Sequence, residues 1–192
     1  MKKIILASTS PRRTELLKNI GLKFSVEDSK YQEDMGKKIS PVRLAKFLAL
    51  SKAQAVAKRH AKGIVIGADT FVVLGGQLLG KPKNKADARK MLKKISGKDV
   101  LVITGFAIID AGTGKKHSGH STAKVSIKNL TSGEIEWYIR TGEPLDKAGA
   151  FAVQEYGAVL IRKLSGDYFS VVGLPIYMVA EALKKFGITV MK

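Results

Sequence analysis

The sequence predicts an α/β fold, a mixed sheet with flanking helices. Three observations support this prediction. Short apolar runs alternate with helical patterns along all 192 residues, at least two pairs of runs are joined by hairpin-type turns, and no repeat or linker interrupts the chain. A chain of this length can bury one sizeable core. We therefore expect a single domain over residues 1–192.

The first third of the chain predicts two strands and two helices. The apolar and helical patterns predict, in chain order, strand 4–7, helix 11–20, strand 23–26 and a helix from 41 to about 60. Ser10 and Ser40 each precede a proline, which suits an N-cap followed by the first helical position. Gly21 and Gly63 end the two helices, and the polar residues 28–38 predict a loop.

The rest of the chain predicts further strands interleaved with helices. The patterns predict strands 64–66, 71–74, 100–109, 121–127 and 156–163, and helices 85–95 and 175–186. The glycine pairs 75–76 and 112/114 predict hairpin turns. Thr131 and Glu134 have the spacing of a capping box ahead of another helix.

Composition and charge restrict the functional class. The chain carries a formal net charge of +18 and no cysteine, which excludes disulfides, thiolate metal sites and cysteine nucleophiles. Because the lysines are spread along the chain and no basic stretch is interleaved with aromatic residues, we do not expect specific nucleic-acid binding. Steering of a small, highly negative substrate explains the charge at least as well. No apolar run approaches the roughly 18 residues that span a bilayer, and the run 4–7 is too short for a secretory signal, so we expect a cytoplasmic protein without membrane contact.

The segment Ser8-Thr9-Ser10-Pro11-Arg12-Arg13 has the pattern of an anion site. It follows a predicted strand and begins a predicted helix, where backbone N–H groups and the helix dipole attract negative charge. Two arginines on the same turn add forked donors that match phosphate oxygens. An exposed helix cap with two solvated arginines would have the same pattern, so both interpretations stay open.

Further candidates each have an ordinary alternative. Asp69, between two predicted strands, suits a metal ligand or general base, or an aspartate that closes a turn. Lys81, between Gly80 and Pro82, suits a phosphate contact or a solvated lysine. Lys52 lies beside the apolar stripe of the long helix, where a lysine either extends to solvent, as is usual, or reaches a site. Glu33 could join Asp69 in holding Mg²⁺ if the fold brings them together.

The segment 141–150 is rich in residues that shape the backbone and predicts a functional loop. Gln154, just beyond it, has an amide that could recognise a base edge, or it is an ordinary polar residue at a strand start. His117 and His120 lack a third ligand nearby, so we do not expect a zinc site.

Five motifs together resemble one protein family. They are Ser8-x-Ser10-Pro11-Arg12-Arg13, Gly67-Ala68-Asp69-Thr70, Gly80-Lys81-Pro82, the segment 141–149, and Val171-Val172-Gly173-Leu174-Pro175. In order and spacing they resemble the Maf family of nucleoside triphosphate pyrophosphatases, once described as septum formation inhibitors. The resemblance implies an elongated two-lobed fold shared with the Ham1-like inosine triphosphatases, with the substrate in a central cleft, and a possible homodimer. It also implies hydrolysis between the α- and β-phosphates, with Mg²⁺ or Mn²⁺ as the required divalent cation.

The resemblance assigns roles residue by residue. Asp69 matches the catalytic carboxylate and a metal ligand, and Glu33 resembles the second acidic residue, although the family's usual Asp-Glu pair reads Gln32-Glu33 here. The positions that contact substrate phosphates in the family are matched by Ser10, Arg13, Lys52 and Lys81.

Three further positions concern the substrate. Arg12, Thr70 and Gln154 match the subfamily that prefers dTTP and UTP, which suggests a house-cleaning role on these and modified pyrimidine nucleotides. Glu155 stands where that subfamily commonly has glycine, and Ser170 where asparagine is frequent. A pyrophosphatase acting on 7-methyl-GTP or another modified purine, and a non-catalytic binding protein acting in cell division, remain alternatives.

Overall fold

The structure is a computed structural model that describes residues 2–32 and 39–190. Glu33, the second expected metal ligand, lies outside the described residues. The chain divides into two compact units. The first unit comprises Met1–Asp69, Thr104–Ser121 and Gly173–Lys192, and the second comprises Thr70–Ile103 and Thr122–Val172.

The secondary structure follows the predicted alternation. The strands are β1 (Ile4–Leu6), β2 (Ser25–Val26), β3 (Ile64–Leu74), β4 (Gln77–Leu79), β5 (Asp99–Asp110), β6 (Lys116–Ile127) and β7 (Ile161–Ser165). The α-helices are α1 (Pro11–Asn19), α2 (Pro41–Ala57), α3 (Lys85–Ile95), α4 (Ser132–Arg140), α5 (Tyr168–Val172) and α6 (Ile176–Lys184). Three 3₁₀ segments lie between α4 and β7, at Glu143–Asp146, Ala148–Ala150 and Glu155–Leu160.

The strands form one mixed sheet in the order β2-β1-β3-β5-β6-β7, with β4 paired to β3. Strand β1 is parallel to both neighbours, and its residues Ile4 and Leu6 lie opposite Ile64 and Ile66 of β3. The pairs β3–β4 and β6–β7 are antiparallel. The predicted mixed α/β class is therefore confirmed.

Helix starts were predicted correctly where a side chain caps the backbone. The hydroxyl of Ser40 accepts from the Arg43 N–H at the start of α2, and Asn84 Oδ1 accepts from the Asp87 N–H at the start of α3. The capping box of Thr131 with Glu134 is present at α4. These caps satisfy backbone donors that the first helical turn leaves unpaired. No helix among residues 2–32 and 39–190 is both long and apolar enough to cross a membrane.

Several predicted strands differ from the structure. The strand predicted at 121–127 starts earlier, since β6 begins at Lys116. The runs 64–66 and 71–74 belong to one continuous strand, β3, because its first part pairs with β1 and its last part with β4. The alternative in which Asp69 closes a turn is therefore wrong, because Asp69 lies inside this strand. The strand predicted at 156–163 is also wrong at its start, since residues 155–160 form a 3₁₀ segment and β7 begins at Ile161.

Each unit has its own apolar core. In the first, α2 packs against β1, β3 and β5 through buried residues that are mostly small: Ile5, Ala7, Ala49, Ala53, Val56, Val65, Ala107 and Ile109. In the second, a larger cluster includes Leu92 and Ile95 of α3 and Ile135 and Tyr138 of α4. The small residues of the first core allow α2 to approach the sheet closely, and this approach positions the candidate site.

Candidate active site

The predicted anion turn lies where β1 gives way to α1, in the first unit. The Ala7 N–H still pairs with the Ile66 carbonyl at 2.8 Å, after which the chain turns through Ser8 and Ser10 into the helix. Ser10 occupies the N-cap position, as predicted, but its side chain makes no capping hydrogen bond. Its backbone N–H instead donates to the hydroxyl oxygen of Ser8 at 3.3 Å. The Ser10 hydroxyl is therefore not used to cap the helix.

Arg13 holds this turn against the segment that precedes α6. Its Nε donates to the Gly173 carbonyl at 2.9 Å, and its Nη1 donates to the Ser8 hydroxyl oxygen at 3.1 Å. Gly173 has φ 138°, a conformation that favours glycine. The guanidinium is thus a fixed positive charge at the start of α1, with Arg12 partly buried beside it. Ser8 and Gly173 were recognisable in the sequence only as motif residues, without their contacts to Arg13.

Lys52 and Asp69 form a nearly buried ion pair. The distance from Lys52 Nζ to Asp69 Oδ1 is 2.5 Å, and the two side chains are only 11% and 8% exposed. Of the two alternatives for Lys52, extension to solvent is therefore wrong, because its ammonium group pairs with Asp69. A buried carboxylate and ammonium group offset one another's desolvation only when they remain paired.

A close approach of helix to strand makes this pair possible. A Cβ added at Gly67 of β3 would lie 2.3 Å from the Ala49 carbonyl oxygen and 2.9 Å from the Ala53 nitrogen of α2. Only glycine leaves room for the helix backbone there. Lys52 is on the same stretch of α2, between these two contacts, and its side chain reaches Asp69 two residues farther along β3.

The parallel pairing brings Asp69 and the anion turn to the same end of the sheet. Strand β1 ends at Leu6, opposite Ile66, whereas β3 continues for eight more residues to Leu74. Asp69 therefore lies beyond the carboxyl end of β1, where the chain turns into α1. Ligands of open α/β sheets bind at the carboxyl ends of strands. The first unit thus combines a carboxylate, an ammonium group and a helix N-terminus at one such end.

The carboxylate oxygens of Asp69 are of the kind that ligates a hard divalent cation. Asp69 Oδ1 accepts from Lys52 Nζ, and the second carboxylate oxygen, Oδ2, is buried as well. Mg²⁺ commonly takes one or two carboxylates together with substrate phosphate oxygens and water, so Asp69 fits such an ion. No group of three or more His, Cys, Asp or Glu residues with metal-site geometry occurs among residues 2–32 and 39–190. His117 and His120 therefore belong to no such group in this part of the chain.

The other predicted site residues belong to the second unit. Thr70 is the next residue of β3 after Asp69, and Lys81 lies exposed in the loop that follows β4. The Gly149 N–H donates to the Gly80 carbonyl at 2.9 Å, so the Lys81 loop is tied to the loop 141–150. Gln154 is partly buried at the N-cap position of the last 3₁₀ segment.

Two charged side chains of this loop were given no role of their own from the sequence. Glu143 and Lys147 are both buried, and Lys147 pairs with the exposed Asp146. The only sequence signal for these two residues was their charge within segment 141–149, which is rich in glycine and also contains a proline. A charged side chain that is buried in a loop needs a specific partner.

Comparisons with known proteins match nearly the whole chain. The family model described as Maf-like protein matches residues 3–186. The chain is 50% identical over 190 residues to the dTTP/UTP pyrophosphatase of Desulforamulus reducens, covering 99% of this chain and 100% of that protein. It is 47% identical to the dTTP/UTP pyrophosphatase of Methanococcoides burtonii, covering 99% and 98% of the two chains, and 43% identical to that of Bacillus pumilus, covering 98% and 99%. Among solved structures, the Staphylococcus aureus Ham1 protein aligns with 66% of this chain and 72% of its own, with 18% identity and a TM-score of 0.46.

Proposed function

Because this chain belongs to the Maf family, we propose that it is a nucleoside triphosphate pyrophosphatase acting on dTTP and UTP. The relatives that carry this activity in their names are 43–50% identical over nearly the full chain. The observation that carries the proposal is the buried Lys52–Asp69 pair, which lies at the sheet end where α1 begins. A charged pair in that position suits the hydrolysis of a phosphoanhydride better than it suits fold stability, since buried ion pairs seldom stabilise a fold.

In the proposed reaction, water cleaves the anhydride between the α- and β-phosphates and gives a nucleoside monophosphate and pyrophosphate. The Asp69 carboxylate accepts the proton of the attacking water, which is general base catalysis. Lys52 donates to Oδ1 and so fixes the orientation of the carboxylate. Since both side chains are nearly buried, little water competes for the proton acceptor.

Negative charge moves to the leaving pyrophosphate as the anhydride bond breaks. The Ser10 hydroxyl, the Arg13 guanidinium and the Lys81 ammonium group contact the phosphates in this proposal, and donors held in place before the reaction stabilise that charge. A divalent cation, Mg²⁺ or Mn²⁺, held by Asp69 with Glu33, would neutralise the phosphate oxygens. Arg13 is suited to this work because Ser8 and Gly173 already hold its guanidinium.

Arg12, Thr70 and Gln154 select the base in this proposal. The preferred substrates are then dTTP and UTP, and modified pyrimidine nucleotides of the cytoplasmic pool are a further class. Glu155 favours one alternative, a modified purine, because it adds an exposed carboxylate beside Gln154. A positive charge on a methylated purine would be attracted to that carboxylate.

The test is pyrophosphate release with Mg²⁺ from dTTP, UTP, CTP, GTP, 7-methyl-GTP and inosine triphosphate, with Asp69→Asn as the inactive variant. We expect Asp69→Asn to lower kcat by at least about 100-fold, the usual effect of losing a general base. Asp99→Asn, which changes an exposed carboxylate paired with Lys124, is the matched control and keeps full activity. Release by Asp69→Asn at the wild-type rate would contradict the proposed mechanism.

A further inference from the structure

The segment that carries Gln154 is held at both ends by two buried side chains. The Ala152 N–H donates to the Tyr138 hydroxyl oxygen at 3.1 Å. On the other side of Gln154, the Tyr156 N–H donates to Glu143 Oε2 at 2.9 Å, and the Gly157 N–H donates to Glu143 Oε1 at 3.1 Å. Gln154 therefore lies on a short arc whose two ends are bound to the same buried pair.

Tyr138 and Glu143 are themselves joined. The Tyr138 hydroxyl donates to Glu143 Oε1 at 2.8 Å, and the tyrosine is fully buried. Burial and the adjacent Glu143 raise the pKa of Tyr138, so the hydroxyl keeps the proton that it donates. The Glu143 carboxylate accepts three hydrogen bonds in all, which offsets the cost of burying its charge.

The backbone of the arc is strained and tightly packed. Glu155 has φ 54°, a left-handed conformation that L-residues with a side chain avoid. A Cβ added at Gly157 would lie 2.6 Å from the Tyr138 hydroxyl and 2.5 Å from the Ala152 carbonyl oxygen. Such backbone strain persists where surrounding contacts over-determine the conformation, and it occurs often at ligand sites.

We propose that Tyr138, Glu143 and Gly157 are positioning residues that hold the Gln154 amide in place and thereby set the selectivity for the base. The inference rests on the proposed function, which assigns Gln154 to the base. None of the three residues touches the substrate in this proposal. They act through the arc 152–157, because the backbone conformation of this arc sets the position and direction from which the Gln154 side chain leaves the main chain.

The first variant is Tyr138→Phe, which removes one hydroxyl and keeps the ring in the core. It deletes the bond to Ala152 and the bond to Glu143 together. We expect the ratio of kcat/KM for dTTP to kcat/KM for GTP to fall about tenfold, and amide hydrogen exchange at residues 152–157 to rise about tenfold. Tyr156→Phe is the matched control, since that tyrosine is 57% exposed, its ring is retained, and its bond to Glu143 comes from the backbone N–H.

The second variant is Glu143→Gln, which replaces one carboxylate oxygen by an NH₂ group. Whichever way the amide lies, a donor then faces a backbone N–H of Tyr156 or Gly157, so the same two changes are expected. If Glu143→Gln does not fold, Tyr138→Phe decides alone. A smaller folded fraction lowers turnover of dTTP and GTP equally and leaves their ratio unchanged, so the ratio separates positioning from stability.

Two negative outcomes are distinguishable. If wild-type protein prefers dTTP but Tyr138→Phe keeps both the wild-type ratio and the wild-type exchange rates, the positioning role is overturned and the proposed function stands. If the wild type does not distinguish dTTP from GTP, the proposed function fails, and the selectivity role fails with it.

Discussion

Replacing Lys52 by methionine tests whether the buried pair is as tightly coupled as its geometry indicates. Methionine retains most of the apolar stem but removes the ammonium group that lies 2.5 Å from Asp69 Oδ1. With the carboxylate only 8% exposed, the variant leaves a nearly buried charge without its ammonium partner. The expected loss is about 3–5 kcal/mol in the free energy of unfolding, the usual cost of breaking a buried pair from one side.

The double variant Lys52→Met/Asp69→Asn measures the coupling. Once both charges are gone, the second substitution costs much less than it does alone, so we expect the two single losses to exceed the double loss by about 2–3 kcal/mol. The control cycle uses Lys184→Met and Glu181→Gln, an exposed pair on α6 whose side chains are 49% and 44% exposed. Its coupling is expected to stay below about 0.5 kcal/mol.

The assay is urea-induced unfolding followed by circular dichroism, with the unfolding free energies compared only where the m-values agree. Additivity of the two single variants to within about 0.5 kcal/mol would mean that the carboxylate and the ammonium group are not coupled. In that case the argument that Lys52 orients Asp69 would be wrong.

Three further variants test separate parts of the structure. Gly67→Ala is expected to lower the free energy of unfolding by about 1–3 kcal/mol, because its Cβ would lie 2.3 Å from the Ala49 carbonyl oxygen. If thermal unfolding shows that the variant is as stable as the wild type, the close packing of α2 on β3 is contradicted. The hydrogen bond from Lys128 helps to lower the pKa of Glu134 from its ordinary value of 4.5 to about 2. The ionised Glu134 therefore stabilises the fold above pH 4.5, and this stabilisation is lost as the pH falls towards 2. Glu134→Gln should therefore show a smaller decrease in urea midpoint over that range than the wild type does, and an equal decrease would be evidence against this contribution. Glu155→Gly is expected to stabilise the protein by about 0–1 kcal/mol, because relief of the left-handed strain outweighs the added entropy of the unfolded chain. If urea unfolding instead shows a loss of stability above about 1 kcal/mol, the conformation of φ 54° carries no strain.

Local signals in the sequence were sufficient for elements that their own residues specify. The N-cap positions of Ser10 and Ser40 and the capping box at Thr131 were recognisable because a helix start needs only a few neighbouring residues. Strand β3 was divided in two because Asp69 and Thr70 interrupt its apolar run, while the pairing that continues it comes from distant strands. The start of β7 was misplaced because the Glu143 carboxylate binds the backbone N–H groups of Tyr156 and Gly157, which a strand would need for pairing.

The sequence motifs named candidate site residues, but they did not indicate how those residues contact one another. Asp69, Lys52 and Arg13 were all named from sequence, but their contacts join residues that are far apart in the chain. Lys52 and Asp69 are separated by 17 residues, and Arg13 and Gly173 by 160. Contacts of such separation depend on how α2 packs on the sheet and where α6 begins. Gly67 determines the first of these through an absent side chain, and a glycine gives no signal of that role in a single sequence.

The most direct measurement is pyrophosphate release from dTTP and UTP with Mg²⁺ by the wild-type protein and by Asp69→Asn, each at a verified folded fraction. The account predicts release by the wild type, preferentially from these two nucleotides, and a loss of at least about 100-fold in kcat for Asp69→Asn. Release by the variant at the wild-type rate, or no release from any nucleotide by the wild type, would contradict it.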